Sequence, residues 1–107
     1  MSRPPDLLFK ALADPTRRAI FERLCRDGEQ TVGAATALAG ISQPAVSKHL
    51  AALRAAGLVT NRQVGRSTCY KAQIGALAPL RDWTNEMSHF WEDRFGDLDN
   101  MLKRMDQ

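Results

Sequence analysis

Eighteen residues in the middle of the chain, from Ser42 to Val59, change their periodicity partway through, and that change limits what the chain can fold into. Val46, Leu50 and Leu53 step by four and three, which puts them on one face of a helix. Ser42 stands where its hydroxyl can accept from a first-turn N–H, and Pro44 is tolerated in that turn. Gly57 then supplies the left-handed residue that ends such a helix. Beyond it, Leu58-Val59-Thr60-Asn61-Arg62-Gln63-Val64 and Thr68-Cys69-Tyr70-Lys71-Ala72 are β-like segments separated by Gly65-Arg66-Ser67. This predicts a hairpin with a basic tip.

Upstream, the stop and start signals predict three more helices. Asp6 can cap a short first helix carrying Leu7, Leu8, Phe9 and Leu12. Asp14-Pro15 is a capping side chain followed by a proline at the first helical position, where its missing N–H does no harm. The helix it opens carries Ile20, Phe21 and Leu24 and stops near Gly28. Thr31 can cap a third helix with Val32, Ala35 and Leu38 on one face, ended by Gly40. The third and fourth helices, joined by the turn at Gly40-Ile41, have the dimensions of a helix-turn-helix.

Pro79 marks the start of the last helix, with Asp82 expected in its first turn, where an acid suits the helix dipole. Leu80, Trp83, Met87, Trp91, Phe95, Leu98, Leu102 and Met105 recur at helical spacing from there on. A stripe this long and aromatic is more than a chain of 107 residues can cover with its own core, and large uncovered apolar surfaces mark contacts with other chains. The expectation is a homodimer through Leu80, Trp83, Met87, Trp91, Phe95, Leu98 and Leu102, helped by Leu8 and Phe9 of the first helix. A helix folded back on its own core is the plainer alternative.

Charge is distributed as unevenly as hydrophobicity. From Gln30 to Arg81 there is no Asp or Glu, while Lys48, Arg54, Arg62, Arg66, Lys71 and Arg81 fall inside that window. The formal net charge of +3 therefore conceals a middle segment of +6 and a final stretch, from Asp82 onward, of −4. An uninterrupted positive face suits a nucleic-acid backbone, because cation contacts release condensed counterions and carboxylates would repel. Length and ordinary composition predict one domain over 1–107. No apolar run is long enough to span a bilayer, and Met1-Ser2-Arg3-Pro4-Pro5 lacks the apolar centre of a signal peptide. Two cysteines are too few for a secreted disulfide framework, so a reducing cytoplasm is expected.

Ser42-Gln43-Pro44-Ala45-Val46-Ser47-Lys48-His49-Leu50, then Leu53, Ala56-Gly57-Leu58-Val59, Gly65-Arg66 and Tyr70, closely resembles the winged helix-turn-helix of ArsR-type bacterial transcriptional regulators. Leu12-Ala13-Asp14-Pro15-Thr16-Arg17-Arg18 looks like the start of that family's second helix. The resemblance implies a mainly α fold with a small β-hairpin wing (α+β), in the order α-α-α-α-β-β-α. Its recognition helix would lie at about 42–56, its wing at about 58–73 and its dimerisation helix at about 79–104. It also implies double-stranded DNA as partner, held as a palindromic operator by a homodimer, with Gln43, Ser47 and His49 at the DNA surface and Arg62 or Arg66 on a flanking backbone or minor groove. The residues agree on their own terms. Ser42, Gln43 and Pro44 form the helix tip that enters a major groove first. Gln43 offers a donor and an acceptor suited to the edge of adenine. Ser47 can reach base or phosphate, Lys48 is a phosphate point charge, and His49 can donate to either. For His49 the competing reading is a half-buried brace between helix and core; for Arg54 it is a solvated side chain.

Family members that sense metals carry a C-x-C pair on the third helix or a D-x-H…H-x-x-E set on the last. Here the third helix holds no ligand, and His89 stands on the last without a second imidazole. The expectation is no metal, no cofactor and no membrane. Cys25, flanked by Arg23 and Arg26, could have a lowered pKa, so a thiol- or small-molecule-responsive repressor is one alternative; a winged-helix module for protein contacts is another. Catalysis is not expected, since His49 and His89 fall in unrelated elements and no phosphate-binding glycine loop is present. Trp83, Phe90, Trp91, Arg94, Leu98 and Leu102 resemble the last helix of family members without a recognisable effector site, which implies a repressor.

Overall fold

The computed structural model describes residues 5–105, apart from the side chain of Phe95; Met1–Pro4, named above for the missing signal-peptide centre, lie outside the described residues. In chain order the elements are α1 (Asp6–Ala13), α2 (Pro15–Asp27), β1 (Gln30–Thr31), α3 (Val32–Ala39), α4 (Gln43–Ala55), β2 (Val59–Val64), β3 (Ser67–Ala72), a 3-10 turn (Ile74–Leu77) and α5 (Ala78–Met105). Three antiparallel strands form one sheet in the order β1-β3-β2. The architecture is the expected mainly helical winged helix-turn-helix, with one strand more than the sequence suggested.

Local chemistry accounts for most boundaries. Asp14 accepts from the N–H of Arg17 at 3.0 Å, Thr31 from Ala34 at 3.0 Å and Ser42 from Ala45 at 3.3 Å, so three helices begin on side-chain caps. The α1–α2 joint is fastened a second time, because Arg18 Nη1 donates to the carbonyl of Leu12 at 2.9 Å. α4 ends in a Schellman turn: Leu58 N–H bonds Leu53 C=O at 3.0 Å and Gly57 N–H bonds Arg54 C=O at 2.9 Å, with Gly57 at φ 79°. That motif brings together side chains on either side of the turn, and both Leu53 and Leu58 are fully buried. Val64 faces Ser67 across the hairpin, with Gly65 at φ 63°, the left-handed position that a two-residue turn requires.

The core is assembled from every layer. Leu8 and Ala11 of α1, Ile20, Phe21 and Leu24 of α2, Ala35 of α3 and Val46, Leu50 and Leu53 of α4 pack with Leu58 and Val59. Burial of each large aliphatic side chain contributes about 1.5–3 kcal/mol, so Leu50, with no exposed surface, is a main support of α4. Among the described residues, Leu80 is the last hydrophobic one packed against this cluster. Beyond it α5 runs as one continuous helix of 28 residues in all, and the molecule is 72 Å long but only 32 × 20 Å across. No helix among the described residues is long and apolar enough to cross a membrane.

Several expectations need correction. Asp6 is the first residue of α1 rather than its cap, and no side chain caps that helix. β1 was not expected; it exists because Gln30 and Thr31 pair with Tyr70 and Cys69 of β3. Leu38 turns outward, half exposed, while Ala35 carries the packing of α3. α5 starts at Ala78, one residue early, which leaves Asp82 beyond the first turn. Leu8, expected to help a dimer surface, is 6% exposed and packs in the core of its own chain.

Truncation of Leu50 to Ala tests the core assignment. It should cost about 3 kcal/mol of unfolding free energy, within the roughly 2–5 kcal/mol range for buried leucines, read as a lowered urea midpoint at unchanged m-value. A shift below about 1 kcal/mol would show that α4 is not seated as described.

Candidate nucleic-acid interface

The Ser42 cap leaves the first turn of α4 pointing outward. Ser42, Gln43 and Pro44 are exposed, as are Ser47 and Lys48 one turn on, whereas Val46 and Leu50 face inward and are fully buried. This is the division that helical period and core packing together impose. His49 is half-buried, and its Nδ1 is shut off from solvent without a hydrogen-bond partner. It lies towards the start of α2. The Asp14 carboxyl is held below the usual carboxylate range, chiefly by the Arg17 N–H, and His49 is near enough to add to the effect. His49 therefore sits between α4 and the start of α2, half-buried.

The hairpin brings a second group to the same place. Gln43 at the tip of α4, Thr31, Val32 and Gly33 at the start of α3, and Arg66, Ser67 and Thr68 at the hairpin tip surround one open concavity of about 290 Å³. None of its lining residues is acidic. Arg66 is exposed and makes no ion pair or side-chain hydrogen bond among the described residues. Gln63 Nε2 donates to Thr68 Oγ1 across the hairpin at 2.9 Å, which stiffens the strands behind the tip. A helix end and a strand pair held at fixed separation, both polar and without carboxylates, can follow a duplex groove and its flanking phosphates together.

Arg62 is differently placed. Its Nε and Nη2 bond Glu29 Oε2 and Oε1 at 2.9 and 2.7 Å. Sequence patterning missed Glu29 because it lies 33 residues away; the only available signal was its position as the last acid before the basic window. The guanidinium holds the Glu29 carboxyl below the usual range, chiefly through the hydrogen bonds, and Lys71 adds to the effect. Arg54 is exposed at the far end of α4.

The residues expected at a dimer surface fall into two groups. Phe9 and Trp83 meet edge-to-face within one chain, ring centroids 5.1 Å apart at 81°, which ties α1 to α5 and leaves both partly exposed. Met87 is half-buried, Leu80 packs on the core, and Trp91 (59% exposed), Leu98 and Leu102 stand open along α5 with Phe90, Met101 and Met105. Phe95 lies within α5, its side chain outside the described ones.

Among the described residues no three His, Cys, Asp or Glu side chains gather where they could hold a metal ion. His89 Nδ1 lies 3.5 Å from Glu92 Oε2, an exposed pairing one helical turn apart. Cys69 is buried, and Cys25 is exposed but not activated: partial burial pushes its thiol up and Glu22 pushes it further. The expectation that Arg23 and Arg26 would lower it fails because neighbours one and two positions away on a helix point elsewhere, whereas Glu22, three away, shares the face.

Comparison with known proteins converges on one family. The family model of a helix-turn-helix domain matches residues 12–62. A HTH-type transcriptional regulator of Mycobacterium tuberculosis is 43% identical over 89 residues, 83% of this chain and 79% of its own length. The transcriptional repressor SdpR of Bacillus subtilis is 33% identical over 71% of this chain and 83% of its own. Among solved structures, an ArsR-like transcriptional regulator from Rhodococcus aligns with a TM-score of 0.76 at 30% identity, covering 92% of each chain. A homodimeric winged helix-turn-helix DNA-binding domain from Mycobacterium bovis aligns at 0.63 with 28% identity, covering 78% of this chain and 77% of that one. With the helix tip, wing and cap chemistry all in their places, the chain belongs to the ArsR family of winged helix-turn-helix proteins, which are DNA-binding transcriptional regulators and not enzymes.

Proposed function

We propose that residues 1–107 work as one unit, a homodimeric cytoplasmic repressor that grips a palindromic operator and carries no metal sensor. The observation that carries the DNA-reading part is the acid-free concavity shared by Gln43 and Arg66. In this reading Ser42, Gln43 and Pro44 enter the major groove, Gln43 reads a base edge, Ser47 and Lys48 contact the adjacent backbone, and His49 sets the tilt of the helix from its margin. Arg66 supplies a flanking phosphate contact. The two arms of a palindrome would be met by two copies of α4, as two-fold dimers meet paired half-sites. The apolar stripe of α5, with Trp83, Met87, Trp91, Leu98 and Leu102 and with Phe95 in the same sequence repeat, is the surface on which the second copy would sit, and Phe9 borders it. Support for the dimer comes from the homodimeric Mycobacterium bovis domain, and support for repression from the Bacillus subtilis repressor.

Two substitutions separate reading from gripping. Gln43→Ala should lose about 1–3 kcal/mol on the cognate operator and almost nothing on random duplex, whereas Arg66→Ala should weaken both alike and flatten the salt slope by about one unit. Fluorescence anisotropy on the two duplexes at several salt concentrations checks this, and identical behaviour of the two variants would refute the division of roles.

Assembly is tested on α5. Leu98→Glu places a charge in the stripe and should give a folded monomer in sedimentation, with operator affinity reduced at least tenfold, because a single half-site is held weakly. A wild type that sediments as a stable monomer at micromolar concentration while binding operator tightly would rule the dimer out.

Regulation is tested by addition and removal. Equimolar zinc should leave the operator complex intact, and Cys25→Ser and Cys69→Ser should bind like wild type with and without mild oxidant. Tight zinc uptake in calorimetry, or an oxidant that releases wild type but not the Cys69 variant, would contradict this.

A further inference from the structure

Glu29 and Arg62 are brought together by the sheet rather than by sequence. β3 lies between β1 and β2, and both Thr31 of β1 and Arg62 of β2 face Cys69 from opposite sides. Glu29, just before β1, therefore closes on Arg62 across the middle strand, with both carboxylate oxygens engaged at 2.9 and 2.7 Å. The carboxylate end is the more enclosed, with the Glu29 side chain 27% exposed against 68% for Arg62. Glu29 is also the last acid before the window of 52 residues, Gln30–Arg81, that holds none.

Resting on the DNA-binding reading above, we infer that Glu29 is a positioning residue for the wing: it fastens Arg62 across the sheet, withholds that cation from DNA and leaves Arg66 to carry the wing's phosphate contact. The exchange that would bring Arg62 to a phosphate is unfavourable on two counts. It breaks a bidentate charge-assisted pair, a strong kind of hydrogen bond. It also leaves the Glu29 carboxylate unpaired beside a polyanion that repels it. The clasp meanwhile joins the outer strands of a narrow sheet, so the angle at which the hairpin meets the rest of the module is held by β1 as well as by the turn at Gly57.

The test compares wild type, Glu29→Gln and the charge-conserving double variant Glu29→Gln/Arg62→Gln on cognate and random duplex across a salt series, with circular dichroism to verify folding. The double variant keeps the net charge of the pair but has no cation to offer, so its salt slope should equal that of wild type. Glu29→Gln alone frees Arg62, so its slope should steepen by about one unit on both duplexes. A double variant whose slope flattens by about one unit would show that Arg62 touches phosphate in the complex, and an unchanged slope for Glu29→Gln would show that the clasp withholds nothing; either result overturns the inference. If wild type shows no salt-dependent duplex binding, the DNA-binding reading fails first and the inference falls with it.

Discussion

The left-handed turn at Gly57 is the joint on which the DNA-facing half of the molecule depends. Two hydrogen bonds close it, from Leu58 to Leu53 and from Gly57 to Arg54, and the apolar contact it creates is buried completely. The turn converts a helix into a strand within three residues and fixes the direction in which that strand leaves. Gln73 N–H then returns to Leu58 C=O at 2.8 Å, so the hairpin ends where it began. With Val46, Leu50 and Leu53 seated in the core and the hairpin rooted on the same leucine pair, packing at the base sets the relation between the tip of α4 and the tip of the hairpin.

Electrostatics adds direction to this frame. Six of the fifteen Lys and Arg residues sit on α4, the hairpin and the start of α5 with no acid among them, whereas the stretch from Asp82 onward is net negative. A polyanion is favoured at the first of these regions and disfavoured along the second. Glu29, the acid directly before the basic window, is paired with Arg62, and none of the residues lining the concavity is acidic. His49 lies at the boundary between the exposed face of α4 and the core, half-buried and with its Nδ1 shut off from solvent.

Much of this was legible in the sequence because it is local. Asp14, Thr31 and Ser42 cap helices by bonding an N–H three residues on, and period alone separates Val46 and Leu50 from Ser47 and Lys48. What the sequence hid is long-range or cooperative. β1 is two residues long, has no alternation to detect, and forms only because β3 offers a free edge. Asp6 has the right chemistry for a cap but is displaced into the helix by the chain direction set at Pro5. Leu38 fits an apolar face by spacing, yet α3 is too short and too small in its side chains to bury more than Ala35. Leu8, expected on an outer surface, was claimed by the core. Arg62 was credible as a free cation until the fold supplied Glu29, and Cys25 as an activated thiol until helix geometry replaced its sequence neighbours with Glu22.

Among the described residues the packed core reaches no further along α5 than Leu80, and Trp83 then joins α5 to Phe9 of α1. On the function proposed above, a substitution on α5 beyond Trp83 alters how copies recognise one another and leaves the packing of α1–α4 in place, and a substitution at Gln43 alters which site is read and leaves assembly in place. Duplicated copies of such a gene can then diverge in their choice of subunit first and in their choice of site later, each step leaving a folded and usable intermediate.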